Sequence, residues 1–404
     1  MEVTQKSEEK LWSFSFVTLI LSTFMLFLGF QMLLPTLPVY VKDHGGDSTS
    51  VGLVIGMFTI TALIIRPFAG SAADRMGRKP ILFIGLIITI LSISSYIFAI
   101  TVFLLLMLRL IHGLGWGMST TIYGTIASDI IPKSRRGEGM GYFGLSISIA
   151  MMLGPLLGIW LMNTYGFLIL FVLASLFSLG SLLLSNFSAP DKQKDNRGST
   201  HKPFLSSLFD RNALFPSLLM LIIAITYGGI VSFITLFAEE KQIDHVGWFF
   251  FTNALCLIII RPIAGKVFDR RGEFLVLFPG GVLGIAALYY ISFTDSTIDL
   301  IISAILYGFS FGLIQPSLQA WTINRASPEK RGAANGTFFS AYDSGIGIGA
   351  ILLGAYANVT SYSSMFKLSA FTFVLYLLVY GLYLWKAKRN KESNSHPIER
   401  TTPY

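Results

Sequence analysis

The chain has 404 residues, of which 53% are hydrophobic and 13% charged, and a net charge of +8. Its mean hydropathy of +0.65 excludes a water-soluble globular domain of this length, whose surface would need far more charge. The single cysteine, Cys256, excludes an intrachain disulfide framework and a thiolate metal cluster.

Apolar runs of about 20 residues are long enough to cross a bilayer. Twelve such runs follow one another in chain order: 14–40, 50–70, 80–100, 102–128, 139–162, 165–187, 212–238, 247–267, 275–293, 298–323, 333–357 and 362–385. The first run ends in Leu37-Pro38-Val39-Tyr40 without a small-residue cleavage site and further spans follow, so it reads as a helix and not as a signal peptide. The polar stretch 188–211 is expected to be a cytoplasmic linker between a six-helix bundle at 1–187 and a second at 212–385. Residues 386–404 are charged and lack apolar periodicity, and a mobile cytoplasmic tail is expected there.

Charge placement sets the expected orientation, because Lys and Arg accumulate on the cytoplasmic side. With the N-terminus inside, 26 of the 30 basic residues, Arg66 and Arg261 included, fall in cytoplasmic segments or at the adjoining span ends. Both termini are then cytoplasmic in a multi-pass protein of the cell membrane. The dispersed positive charge suits anionic lipid headgroups and argues against a nucleic-acid partner.

The block Arg66-Pro67-Phe68-Ala69-Gly70-Ser71-Ala72-Ala73-Asp74-Arg75-Met76-Gly77-Arg78 returns 195 residues later as Arg261-Pro262-Ile263-Ala264-Gly265-Lys266-Val267-Phe268-Asp269-Arg270-Arg271-Gly272-Glu273, with seven of thirteen positions identical. Arg136-Gly137 and Arg331-Gly332 keep the same offset. The chain thus reads as a tandem duplication of one membrane half, with a substrate site expected in the seam between the two copies.

The run from Gly70 through Asp74, Arg75, Gly77 and Arg78 to Lys79 resembles the cytoplasmic signature between helices two and three of the major facilitator superfamily. Leu34-Pro35-Thr36-Leu37-Pro38, the Arg109 to Gly117 stretch and Gly154-Pro155-Leu156-Leu157-Gly158 resemble the motifs of its twelve-helix drug:proton antiporters. The resemblance implies an all-α membrane protein with twelve helices in two pseudo-symmetric six-helix bundles. It also implies that Gly70, Asp74, Arg75, Gly77, Arg78, Asp129 and Arg136 form a conformational latch on the inner face. The kink at Gly154, Pro155 and Gly158 is implied to seal the contact between halves; Ile159 stands where the signature has another small residue.

Asp343 is the one acidic residue placed deep inside a span, near the midplane. An ionised carboxylate there costs roughly 2.5–3.5 kcal/mol on insertion scales, which makes Asp343 the candidate proton carrier. Arg109 is the matching intramembrane cation, linked by the resemblance to proton coupling, with Gln31 as its candidate partner. A guanidinium stays charged at physiological pH, so its expected role is to orient water or tune a nearby acid.

By analogy with the superfamily, helices one, four, seven and ten line the cavity. They supply Gln31, Trp116, Tyr123, Tyr227, Gln315 and Gln319, a set suited to an amphipathic or aromatic solute. The five histidines lack metal-ligand spacing and no GxxxxGK[ST] loop occurs, so neither a metal, nor a cofactor, nor ATP-driven transport is expected. The expected function is export of a small amphipathic solute by proton antiport, by a monomer that is not an enzyme. Proton-coupled or facilitative import of a metabolite, or a non-transporting membrane sensor, are the alternatives.

Overall fold

The computed structural model describes residues 11–132, 135–188, 213–326 and 331–395. Within these, all regular structure is helical: α1 (Phe14–Leu33), α2 (Leu37–Asp43), α3 (Ser48–Met76), α4 (Arg78–Ser95), α5 (Val102–Ile130), α6 (Arg136–Ser188), α7 (Leu214–Glu240), α8 (Gly247–Arg271), α9 (Phe274–Ile291), α10 (Thr297–Arg325), α11 (Arg331–Val359) and α12 (Tyr362–Ser395). Eleven stretches are long and apolar enough to cross a membrane, and one of them, Glu138–Ser188, has 51 residues. Gly166 breaks it with a φ of 79°, so it makes two crossings and the described residues make twelve. The linker expected at 188–211 lies almost wholly outside the described residues.

Local chemistry sets the helix ends. Ser13, Asp47, Thr101 and Ser296 each cap the helix that follows with a side-chain oxygen on a free backbone amide. The Ser50 hydroxyl and amide both donate to Asp47 and hold its carboxyl below the usual carboxylate range. The turns after α3 and α8 need glycine: Gly77 and Gly272, equivalent in the repeat, have φ of 92° and 80°. Two corrections concern ends. The first span is divided, because Pro35 and Pro38 interrupt it and restart the chain as α2. α12 continues through Ser395, past the boundary expected at 385, because its last turns contain neither Gly nor Pro.

Each half packs internally, α1 on α6 and α3 on α5 in one, α7 on α11 and α8 on α10 in the other. The halves meet along two seams, α3 with α11 and α6 with α8. The seams are related by the duplication. The Arg78 end of α4 marks one membrane face, called here the basic face; Ser48 of α3 lies at the opposite face.

Near the opposite face the seams are tight. A Cβ added at Gly52 or Gly354 would strike the backbone of Ala350 or Ser48 across the α3–α11 seam, and one at Gly247 would meet Leu156 across the other. The Ser48 hydroxyl also bonds the Tyr362 hydroxyl at 2.9 Å. Toward the basic face the seams part: Cβ atoms at Gly70 and Gly336, or at their repeat equivalents Gly265 and Gly141, would meet nothing within 4 Å. The molecule is closed at the opposite face and open at the basic one.

Gly52→Leu should therefore lower stability by about 1–3 kcal/mol through overpacking. Gly70→Leu, facing open space, should stay within about 0.5 kcal/mol of the parent. Thermal unfolding in detergent measures both, and equal losses would contradict this reading of the seams.

Candidate functional site

α3 does not end where its hydropathy falls. It runs about ten residues beyond Arg66 to Met76, and α8 likewise runs beyond Arg261 to Arg271. At 1.5 Å per residue both guanidinium groups start roughly 15 Å from the helix ends. Both arginines, counted in the sequence with the charges at the span ends, thus lie well inside their helices. Both stand at the seams.

Arg66 reaches across the α3–α11 seam, and its Nη2 lies 3.0 Å from Asp343 Oδ2. Its Nη1 donates to Thr120 Oγ1 of α5 at 3.0 Å. The two charged side chains are 25% and 17% exposed, so the pair is shielded but not sealed. Across the other seam, Arg261 Nη1 donates to Ser148 Oγ at 3.1 Å and Nη2 to Gln315 Oε1 at 3.3 Å. Thr120 and Gln315 are equivalent under the 195-residue offset, as are Ser148 and Asp343. The duplication has thus produced two arginine clasps of the same design, one closed on a carboxylate and one on a hydroxyl.

Arg109 is fully enclosed within one half. Its Nε donates to the Val54 carbonyl at 3.0 Å, and the guanidinium lies 4.0 Å from the centre of the Phe58 ring. Gln31, the expected partner, packs against Gly154 instead and lines a cavity between the halves. One turn from Arg109, His112 Nδ1 bonds the Tyr96 hydroxyl at 2.7 Å.

That cavity is walled by Gln31, Met151, Pro155, Tyr227, Asn253 and Leu257, among others, and so draws on both halves. Tyr227 stacks on Phe311 with ring centres 5.2 Å apart, and Tyr342 lies 6.1 Å from it. Gln315 is engaged by Arg261, and Gln319 donates to Asn335 at 3.0 Å. Trp116 is buried against Phe30, with ring centres 4.0 Å apart. Tyr123 is corrected: it is fully buried inside one half, where its hydroxyl bonds Ser22 and Ser181 and not a solute. Helical phase turned it inward, which composition does not reveal.

On the basic face Arg78 pairs with Asp129, joining α4 to α5 within one half. Arg75 is exposed, Gly77 makes the turn and Gly70 faces open space. The side chains of Asp74 and Arg136 lie outside the described residues. The glycines of the α6 motif also differ from expectation. Gly154 and Gly158 pack on Gln31 and Met32 of α1, inside the same half. Leu156 and Ile159 are the residues that meet Gly247 of α8, so the bulky neighbours, and not the glycines, make the contact between halves. Among the described residues no cluster of three or more metal-ligating side chains occurs.

Arg66 and Arg261 are the residues that sequence reasoning missed as site components. The signal was present, since each begins the repeated block and is followed by enough helix-compatible sequence to bury it.

The sequence pattern described as Major Facilitator Superfamily matches residues 19–350. An uncharacterized MFS-type transporter of Methanocaldococcus jannaschii is 23% identical over 371 residues, 89% of this chain and 96% of the relative. The quinolone resistance protein NorA of Staphylococcus aureus is 25% identical over 349 residues, 83% of this chain and 88% of NorA. The solved nucleoside transporter NupG has a TM-score of 0.71 at 17% identity, over 91% of this chain and 99% of its own, which speaks to the fold alone.

The Arg66–Asp343 pair makes a quantitative expectation. Arg66→Gln and Asp343→Asn should each destabilise the closed seam, and the double variant should lose less than the two losses summed, with a coupling of about 0.5–3 kcal/mol. A double-mutant cycle read by thermal unfolding checks this; strict additivity would mean that the two side chains do not interact.

Proposed function

This chain belongs to the Major Facilitator Superfamily, and we propose that it is a secondary active transporter exporting a small amphipathic solute in exchange for protons. The carrying observation is that the seam carboxylate Asp343 is held at 3.0 Å by a cation of the other half. The likeness to a quinolone resistance protein supports the outward direction. Taking the basic face as cytoplasmic, with both termini there, the structure corresponds to the inward-open state.

In the proposed cycle, residues 1–187 and 212–385 rock against each other as two bundles of a monomer. In the inward-open state Asp343 is ionised and paired with Arg66, while solute enters between Gln31, Tyr227 and their neighbours. When α3 and α11 part at the opposite face, Asp343 loses its counter-charge. A carboxylate stripped of its cation in a poorly solvated seam takes up a proton. The neutral side chain costs less to carry back through the closing seam, and the returning Arg66 expels the proton to the basic side. Linkage makes this reciprocal: whatever breaks the pair favours proton binding, and proton binding favours the broken pair.

Arg109 has a fixed electrostatic role in this scheme, since it is enclosed and keeps its charge. The Gly70–Arg78 turn, with Asp74, Asp129 and Arg136, serves as the latch that closes the basic face in the alternate state. The Gly154, Pro155 and Gly158 segment keeps α6 close to α1, so that the half moves as one body.

Proteoliposomes with an imposed pH gradient test the proposal, using a quinolone and an amphipathic dye as solutes. Parent protein should accumulate solute against its gradient. Asp343→Asn should abolish that accumulation while retaining solute exchange down a gradient. Normal uphill movement by Asp343→Asn would overturn the proposed proton role.

A further inference from the structure

The two clasps differ at one chemically decisive position. Arg66 has a carboxylate from the other half; Arg261, in the equivalent place, has only the Ser148 hydroxyl and the Gln315 amide oxygen. Among the described residues no carboxylate pairs with Arg261, and its Nε, like that of Arg66, has no hydrogen-bond partner. A guanidinium presents five donors in a planar fork that matches a carboxylate. Neutral oxygens satisfy two of these and leave the charge unbalanced in a membrane interior, where an unpaired cation is costly.

Arg261 differs from the buried Arg109 in its surroundings. Arg109 is sealed inside one half, whereas Arg261 is half-buried at the seam between halves. It stands one helical turn from Leu257, and its partner Ser148 one turn from Met151; both Leu257 and Met151 wall the central cavity. On the same side, Tyr227 faces that cavity and stacks with Phe311 beside Tyr342. Tyr227 and Tyr342 both lie within electrostatic reach of Arg261. A cation with spare donors therefore lies one helical turn from the wall of the cavity between the halves, on the side of its aromatic lining.

We propose that Arg261 is a solute-binding residue and that the transported solute is an aromatic or amphipathic acid. Its carboxylate takes the place against Arg261 that Asp343 takes against Arg66. The acid group binds the fork of Arg261, and the ring packs against Tyr227. Ser148 is the specificity-determining partner, because a short hydroxyl leaves space and charge for an incoming anion where an aspartate would fill both. This inference rests on the transport reading but concerns binding alone, with no proton gradient involved.

The test is equilibrium binding to the purified full-length protein in detergent, followed by tryptophan fluorescence, with 1-naphthaleneacetic acid and its uncharged amide as probes. The acid should bind at least tenfold more tightly than the amide. Arg261→Gln should erase the difference, and Arg261→Lys should keep part of it. Ser148→Asp, which supplies an internal carboxylate, should weaken the acid at least tenfold while leaving the amide unchanged. Equal binding of acid and amide by the parent, no binding of the acid, or an undiminished preference in Arg261→Gln would overturn the proposal. Any of these results would leave the Asp343-dependent exchange in proteoliposomes to stand or fall separately.

Discussion

An ionised carboxylate in the middle of a membrane protein needs a counter-charge, and Asp343 finds one on the other half of the molecule, in Arg66 at 3.0 Å. Placing the two partners on different bundles ties a local charge to a global motion. Had both stood on one bundle, as Arg78 and Asp129 do, the pair would have stabilised that bundle and been indifferent to its neighbour. Because it spans the seam, the separation of the bundles in the proposed cycle would expose both charges at once. In that cycle, proton binding to Asp343 is the least costly way to relieve one of them.

The same arrangement explains why duplication alone is not enough. Two identical copies would carry two identical clasps, and neither could respond to a ligand differently from the other. Here the scaffold is repeated closely: Arg66 with Arg261, Thr120 with Gln315, Gly77 with Gly272. The cross-seam partner diverged, to Asp343 in one clasp and Ser148 in the other. In the proposed cycle one clasp answers to a proton and the other to the acid group of the solute. Substrate and proton then act on one two-state equilibrium from two equivalent positions, and each can shift it only by its differential affinity for the two states.

Much of the fold was legible in the sequence because bilayer thickness dictates span length and hydropathy reports it directly. The twelve crossings and the repeat followed from counting residues. The Gly77 turn followed because a reversal with positive φ selects glycine. What did not follow was direction within the bundle. Tyr123 and Tyr227 are both tyrosines on expected cavity helices, yet one is sealed against Ser22 and Ser181 and the other faces the space between halves. Hydropathy also fails where a charge lies inside a helix. It ended the second span at residue 70, although the helix continues to Met76, and so counted a seam residue with the charges at the span end. The glycines of the α6 motif were legible as a close-packing face, but their partner, α1 and not α8, was set by packing that the spacing does not encode.

The most direct measurement is a pair of spin-label distances across the α3–α11 seam, one between positions 70 and 336 at the basic face and one between positions 52 and 354 near the opposite face, followed as pH is lowered. Protonation of Asp343 breaks its pair with Arg66, so the opposite-face distance should lengthen while the basic-face distance shortens, and in Asp343→Asn neither distance should respond to pH. Distances that stay fixed across the titration, or that lengthen together at both faces, would contradict the proposal that this ion pair governs which face is open.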